Sequence, residues 1–253
     1  MPDKKESARA TVILALITLA IGAYVLLFGL QTLIYFEARH WAASSSFLWD
    51  VPKPLPSTVA SPVQEKDLSL FGFQFGAPWK GIDRQNSAND RSEIDFKSGA
   101  VLVFFNPEGE KNILDGIRTG NPQTYRQYQT VFGADLFPTN YALYLAVYGA
   151  SPASISPFIS RDKAVRISTL LQWKLAFGAY RTKTIYTFES GNNRGLQFGD
   201  PATDHAVMVH LFDSHEQQMR LLFTFKPGQP GVISQADINC VIDSLQPASL
   251  PGE

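Results

Sequence analysis

Ser160-Arg161-Asp162-Lys163 has the Ser-x-x-Lys spacing in which one turn of helix sets a lysine amine beside a serine hydroxyl, an arrangement that activates serine for acyl transfer. Its usual companions are missing: there is no Ser-Asp-Asn, and Lys183-Thr184 is followed by Ile185 rather than glycine. Ser160 also stands where a helix start needs a cap, which is the reading its context supports. Asp200, Asp204 and His205 put two carboxylates and an imidazole in one short loop, enough to hold a cation or share a proton, although Asp-Pro and Thr-Asp are equally turn chemistry. His215-Glu216-Gln217-Gln218-Met219 opens like the zinc-protease helix motif, but Met219 stands where the second ligand must be, so the stretch reads as a hairpin turn. His205 and His210 fall at an odd spacing on one predicted strand, which sends them to opposite faces and defeats shared chelation. Cys240 is the only cysteine, so an intrachain disulfide, a thiolate zinc cluster and a redox pair are all excluded. It lies off the apolar stripe of its helix and reads as packing rather than as a free thiol. No Gly-x-Gly-x-x-Gly, phosphate loop or Gly-x-Ser-x-Gly occurs, and no cofactor or metal is expected.

The elements that would position these groups are set by residues 10–36, which contain no charged side chain. As a helix they measure roughly 40 Å, enough to cross a hydrocarbon core of about 30 Å with some tilt. The run is longer than the 7–15 apolar residues or so of a secretory signal, so a membrane span is expected rather than a cleaved leader, despite the small residues Ala42-Ala43-Ser44. Thr11, Thr18, Gln31 and Thr32 are too scattered to make the polar face of a buried soluble helix. Tyr35, Phe36 and Trp41 resemble an aromatic belt. Lys4, Lys5 and Arg9 precede the run, whereas Arg39 alone follows it before Lys53. The positive-inside rule therefore predicts a cytoplasmic tail (1–9), a transmembrane helix (10–36) and everything after it on the extracytoplasmic side, periplasm or cell exterior.

Residues 37–66 read as a Pro- and Ser-rich linker, with Pro52, Pro54, Pro56 and Pro62 making an extended tether and Phe47, Leu48 and Trp49 available to graze the interface or dock on the domain. The next block, 67–247, is long enough for one domain with its own core, and 248–253 reads as a tail. A net charge of -1 gives no electrostatic footprint for nucleic acid.

Within that block, alternation in 68–75 predicts a strand ended by Gly76 and Pro78, and Ser98-Gly99 predicts a hairpin joining 92–97 to 100–105, all in one small antiparallel sheet. Ile113, Leu114 and Ile117 form one helical face. Asn121-Pro122 caps a helix ended by Gly133. Residues 141–148 and a Ser160-capped helix closing at Gly178 follow. Strands return at 183–189, 194–198, 205–212 and 217–225. After the Pro-Gly loop 227–231, Ser234 to Asp237 opens a last helix with Ile238, Val241, Ile242 and Leu245 on its core face. Strands, helices, strands and a final helix in segregated blocks predict an α+β fold: an N-terminal transmembrane helix, then one antiparallel sheet covered by helices.

In order and shape, the early LSLFGFQFGAPW strand, the 94–105 hairpin, the four late strands and the terminal ISQADINCVIDSL helix resemble the PsbP-like fold, an α/β/α sandwich. The resemblance covers most of 68–245, and residues 138–180 are longer and more helical than its usual connection. It implies a non-enzymatic assembly or binding module and carries over no site residue. The expected function is therefore a single-pass, membrane-anchored binding or assembly module whose partners are the bilayer, through residues 10–36, and a membrane protein. The partner face would be Tyr141, Tyr144, Leu145 and Tyr148, the second greasy side of the 141–148 helix. Two rivals are a tethered hydrolase using Ser160 and Lys163 or Asp200, Asp204 and His205, and a lipid binder with an aromatic-rich interior.

Overall fold

The computed structural model describes residues 4–109, 113–133, 137–177, 184–191, 193–226 and 233–248. Gly178, the loop 227–231 and the end of the tail lie outside these, as do the side chains of Lys4, Lys5, Arg9, Ile113, Leu114 and Ile117. The chain opens with helix α1 (Lys4–Ser44), which contains one stretch long and apolar enough to cross a membrane. Helix α1 continues past the predicted linker boundary. Residues 37–44 are helical, and Gln31, Ile34, Ala38 and Ala42 form a buried stripe at spacings of three and four that packs on the domain. A short 3-10 turn (Ser46–Trp49) follows and buries Leu48 completely, so Leu48 docks on the domain.

Strands β1 (Lys53–Pro54), β2 (Glu65–Leu70), β3 (Phe73–Ala77), β4 (Ile82–Ser87), β5 (Arg91–Phe96) and β6 (Ala100–Phe105) come next. Helices α2 (Ile113–Gly120), α3 (Pro122–Phe132), α4 (Asn140–Gly149) and α5 (Arg161–Ala176) form the middle. Strands β7 (Ile185–Ser190), β8 (Asn193–Phe198), β9 (Ala206–Phe212) and β10 (Gln218–Phe225), helix α6 (Gln235–Ser244) and strand β11 (Gln246–Pro247) complete the described chain. The α+β class holds, with two departures. The strands divide between an eight-stranded sheet, in the order β1-β7-β8-β9-β10-β6-β5-β4, and a three-stranded one, β11-β3-β2. The large sheet is also mixed, because β1 runs parallel to β7. The stretch 68–75, expected as one strand, is instead most of the β2–β3 hairpin, which leaves the β5–β6 pair and folds back over it, turning at Phe71 and Gly72, both at positive φ as a two-residue hairpin with right-handed twist requires.

Period-2 alternation gives each face of the large sheet its own partner. On one face Ile94, Phe96, Leu102, Phe104, Val209, Leu211, Leu221 and Phe223 pack against the small sheet and against Ile238, Val241, Ile242 and Leu245 of α6. The Phe104 ring lies 6.1 Å from each of Phe71, Phe73 and Phe75. Cys240 is buried on the flank of α6, and burial pushes its thiol up to about 11, which disfavours the thiolate. On the other face Ile185, Leu196, Phe198, Met208 and Phe212 meet Tyr144 and Tyr148 of α4. The far side of α4, Leu143 and Val147, packs on Trp173 of α5, with Tyr128 and Phe132 of α3 beside it. Helix α5 in turn carries the stripe of α1. Caps explain where these helices start: Asn121 accepts from the Thr124 amide, Ser160 from that of Lys163, and Ser234 and Asp237 form a reciprocal capping box.

Candidate functional site

Strand β1 covers only part of its neighbour. The Leu55 amide donates to the Thr187 carbonyl at 2.8 Å, after which the chain lifts away and is tied to α6 by the Asn239 side-chain amide, which donates to the Thr58 carbonyl at 2.8 Å. Main-chain groups along a strand edge point outward every second residue. Because those of Thr187 face β1, those of Glu189 face the same edge, beyond the point where the strap has left. The opening between strap and strand is a groove of about 600 Å³, lined by residues 54–58, Thr187 to Ser190 of β7, Tyr141 and Leu145 of α4, and Asn239, Ile242 and Asp243 of α6. Among the described residues, the charged side chains that line it are Glu189 and Asp243, and Ser190 Oγ donates to the Asp243 carboxylate. Arg194 lies over the Tyr141 ring at 4.7 Å. Burial, then the charge of Glu189, raises the Tyr141 hydroxyl above its ordinary pKa, with Arg194 opposing and Glu216 adding to the rise. The groove can therefore accept an extended, neutral or basic segment through main-chain hydrogen bonds, with an apolar and aromatic wall for its side chains.

The expected partner face is split by the fold. Tyr144 and Tyr148 are buried against the large sheet, Tyr144 accepting a hydrogen bond from the Gln218 amide at 3.1 Å, and so serve as core. A helix apolar on both sides is here covered on both sides. Tyr141 and Leu145 remain at the surface, as part of the groove wall.

The residues singled out for catalysis are engaged in local structure. Ser160 caps α5, and both Ser160 and Lys163 are exposed. Ser160→Ala removes one cap and is expected to lower stability by about 1 kcal/mol, read as a shifted denaturation midpoint. Asp204 Oδ2 accepts from the Asp200 amide at 2.7 Å, Asp200 Oδ1 from Ala202, and Asp200 Oδ2 from the Tyr186 hydroxyl, so both carboxylates close a turn. Exposed His205 meets the Phe225 ring edge-on, at an interplanar angle of 78°, away from His210. Asp213 Oδ1 accepts from the His215 and Gln217 amides, and Glu216, at positive φ, pairs with Arg194, the arrangement of a turn rather than a helix. Among the described residues, no group of three or more His, Cys, Asp or Glu is placed to hold a metal.

Of two buried titratable groups, Lys174 escaped the sequence reading, and His210 was read there only as a histidine facing away from His205. Lys174 of α5 is 0 % exposed, and its ammonium donates to the carbonyls of Leu48 (3.4 Å), Asp50 (2.5 Å), Tyr148 (3.0 Å) and Ala150 (2.9 Å). These carbonyls end α4 and the turn after α1, where helix termini leave acceptors unmet and partial negative charge accumulates. His210 of β9 sits between the rings of Tyr144 and Phe198, and burial, reinforced by the charge of Arg220, lowers its pKa to about 3. A lysine at three-residue spacing from Leu171 on a core stripe was the available signal for the first. No family model, curated protein or solved structure matches this chain.

Proposed function

We propose that this chain is a single-pass membrane-anchored module that binds or helps assemble a membrane protein on the extracytoplasmic side, without catalysis of its own. The observation that carries the reading is the groove beside β7, an open strand edge next to the place where the chain already adds its own residues 53–55 as a strand. That edge invites an extended segment of a partner. Glu189 and Asp243 favour a basic one.

The module is joined to its anchor without slack. In α1 every side chain from 13 to 27 is exposed, Leu26 to 88 %, whereas the far end of the same helix is buried in the domain. A partner held in the groove would therefore be fixed in height and orientation relative to the bilayer. The Lys and Arg asymmetry around the span supports an extracytoplasmic domain.

The reading is tested with a photocrosslinking residue at Leu145 in the full chain, in native membranes. A discrete protein adduct is expected from that position and not from Asn86, on the opposite edge strand β4. Equal or absent adducts at the two positions remove the groove as the binding site. Recovery of the chain in the supernatant without detergent removes the anchor as well.

A further inference from the structure

The anchor and the domain meet at a height that can be calculated. Residues 10–30 number 21, about 31 Å of helix, which matches a hydrocarbon core of about 30 Å. Gln31, the next residue, is the first of the described side chains of α1 to be buried. The underside of the domain therefore begins where the bilayer core ends.

At that level the turn between Ile155 and α5 reaches the anchor. The Phe158 ring lies 6.0 Å from that of Phe28 at an interplanar angle of 72°. Phe28 belongs to the apolar run, one turn below Gln31. Phe158 is nonetheless 72 % exposed, the most open phenylalanine among the described core-sized apolar side chains of the domain. Pro157 and Ile159 flank it, both part-exposed, and after Ser160 come Arg161, Asp162 and Lys163, all exposed, two cations to one carboxylate. An aromatic tip with basic residues directly beyond it has the order of an interfacial anchor: ring in the acyl boundary, cations at the headgroups. In water the ring would be an unexplained apolar projection. Beside Phe28 it continues a surface already facing lipid.

Resting on the membrane-anchor reading, we infer that the turn formed by residues 156–159 is a second membrane contact: Phe158 enters the bilayer interface beside Phe28, so the domain sits on the membrane surface rather than above it. The occupant is lipid, because the exposed face of Phe158 opens at the depth of the span. Two contacts fix the rotation of the domain about the anchor axis, which a single helix cannot do, and so fix the direction in which the groove beside β7 opens.

The test uses the full chain with one added cysteine at Phe158, at Leu19 in the middle of the apolar run, or at Val59, which is 89 % exposed on the strap. Cys240 stays in place, since it is 2 % exposed and does not compete for the label. Each variant carries an environment-sensitive fluorophore and is reconstituted in phosphatidylcholine vesicles with a nitroxide near the headgroup or near the chain end. At 158 the headgroup-level nitroxide is expected to quench several-fold more than at 59, while Leu19 responds most to the chain-end nitroxide. If Leu19 is quenched and 158 is as unresponsive as 59, the lipid contact is overturned and the anchor stands. A blue-shifted label at 158 that neither nitroxide reaches means that a protein surface, such as a second copy, covers the turn, and this also overturns the inference. An unquenched Leu19 brings down the anchor itself.

Discussion

Lys174→Met is expected to destabilise the folded chain by about 3 kcal/mol. The loss comes from four main-chain carbonyls, of Leu48, Asp50, Tyr148 and Ala150, which share the three N–H donors of one buried ammonium. An orphaned buried acceptor costs about 1–3 kcal/mol. Part of that cost is offset because an ammonium no longer has to be desolvated, which is why the net effect is smaller than four such penalties. The damage is also local in a telling way. The carbonyls belong to the end of α4 and to the turn that follows α1, so the ammonium is the polar pin between anchor and domain.

Faster proteolysis within residues 51–63 should therefore accompany the shifted denaturation midpoint of the full chain in detergent. Burial pushes the Lys174 ammonium down to about 8, with Asp50 resisting. Between that pH and the ordinary lysine value the unfolded chain holds a proton the folded chain has shed, so wild-type stability rises with pH there and the variant lacks the rise. A midpoint unchanged by the substitution, measured near-neutral by near-UV circular dichroism, would show that the carbonyl cage contributes nothing.

Local chemistry was legible in the residues and long-range partition was not. Asn121-Pro122, Ser160 and Ser234 with Asp237 each satisfy amides within three positions, and each helix begins where those side chains place it. The 92–105 pair was equally visible, whereas 68–75, read as one strand, turns at Phe71-Gly72 into the two strands β2 and β3. Their membership of two different sheets depends on whether Phe73 and Phe75 pair beside Phe104 or stack over it, and alternation reads the same either way. The proline-rich stretch read as an extended tether because prolines forbid helix and central strand. It does not dangle: Leu55, Thr58 and Ser61 are held by Thr187, Asn239 and Ala236. The groove and the Lys174 cage share this origin, each assembled from several segments of which the first and last lie more than a hundred residues apart, with no motif to announce them.

Acidification should act on the folded core through one imidazole. Lowering the pH from 7 to 4 is expected to cost about 3 kcal/mol of stability through His210 alone, since its folded pKa is about 3 against an ordinary 6.5. The direction follows from where the proton can bind. Below the ordinary value the unfolded chain takes up a proton that the folded chain refuses, so stability present at neutral pH is lost as the pH falls towards the folded value. The folded refusal has a visible cause: the ring is enclosed between Tyr144 and Phe198, on the face where α4 meets the large sheet, with the Arg220 charge adding to the cost of a cation there. His210→Leu keeps the apolar volume and removes the titration, so its stability between pH 7 and 4 should fall by about 3 kcal/mol less than that of the wild type, measured by denaturant midpoints at each pH. His210→Gln, polar but not titrating, should share the flattened profile even if its absolute stability is lower, which separates the proton from the packing. Parallel pH profiles for wild type and both variants would mean that the folded chain accepts the proton at an ordinary pH. The seam between α4 and the sheet would then be open to water, and the rigid connection from β7 through α4 and α5 to the membrane helix would lose its dry centre.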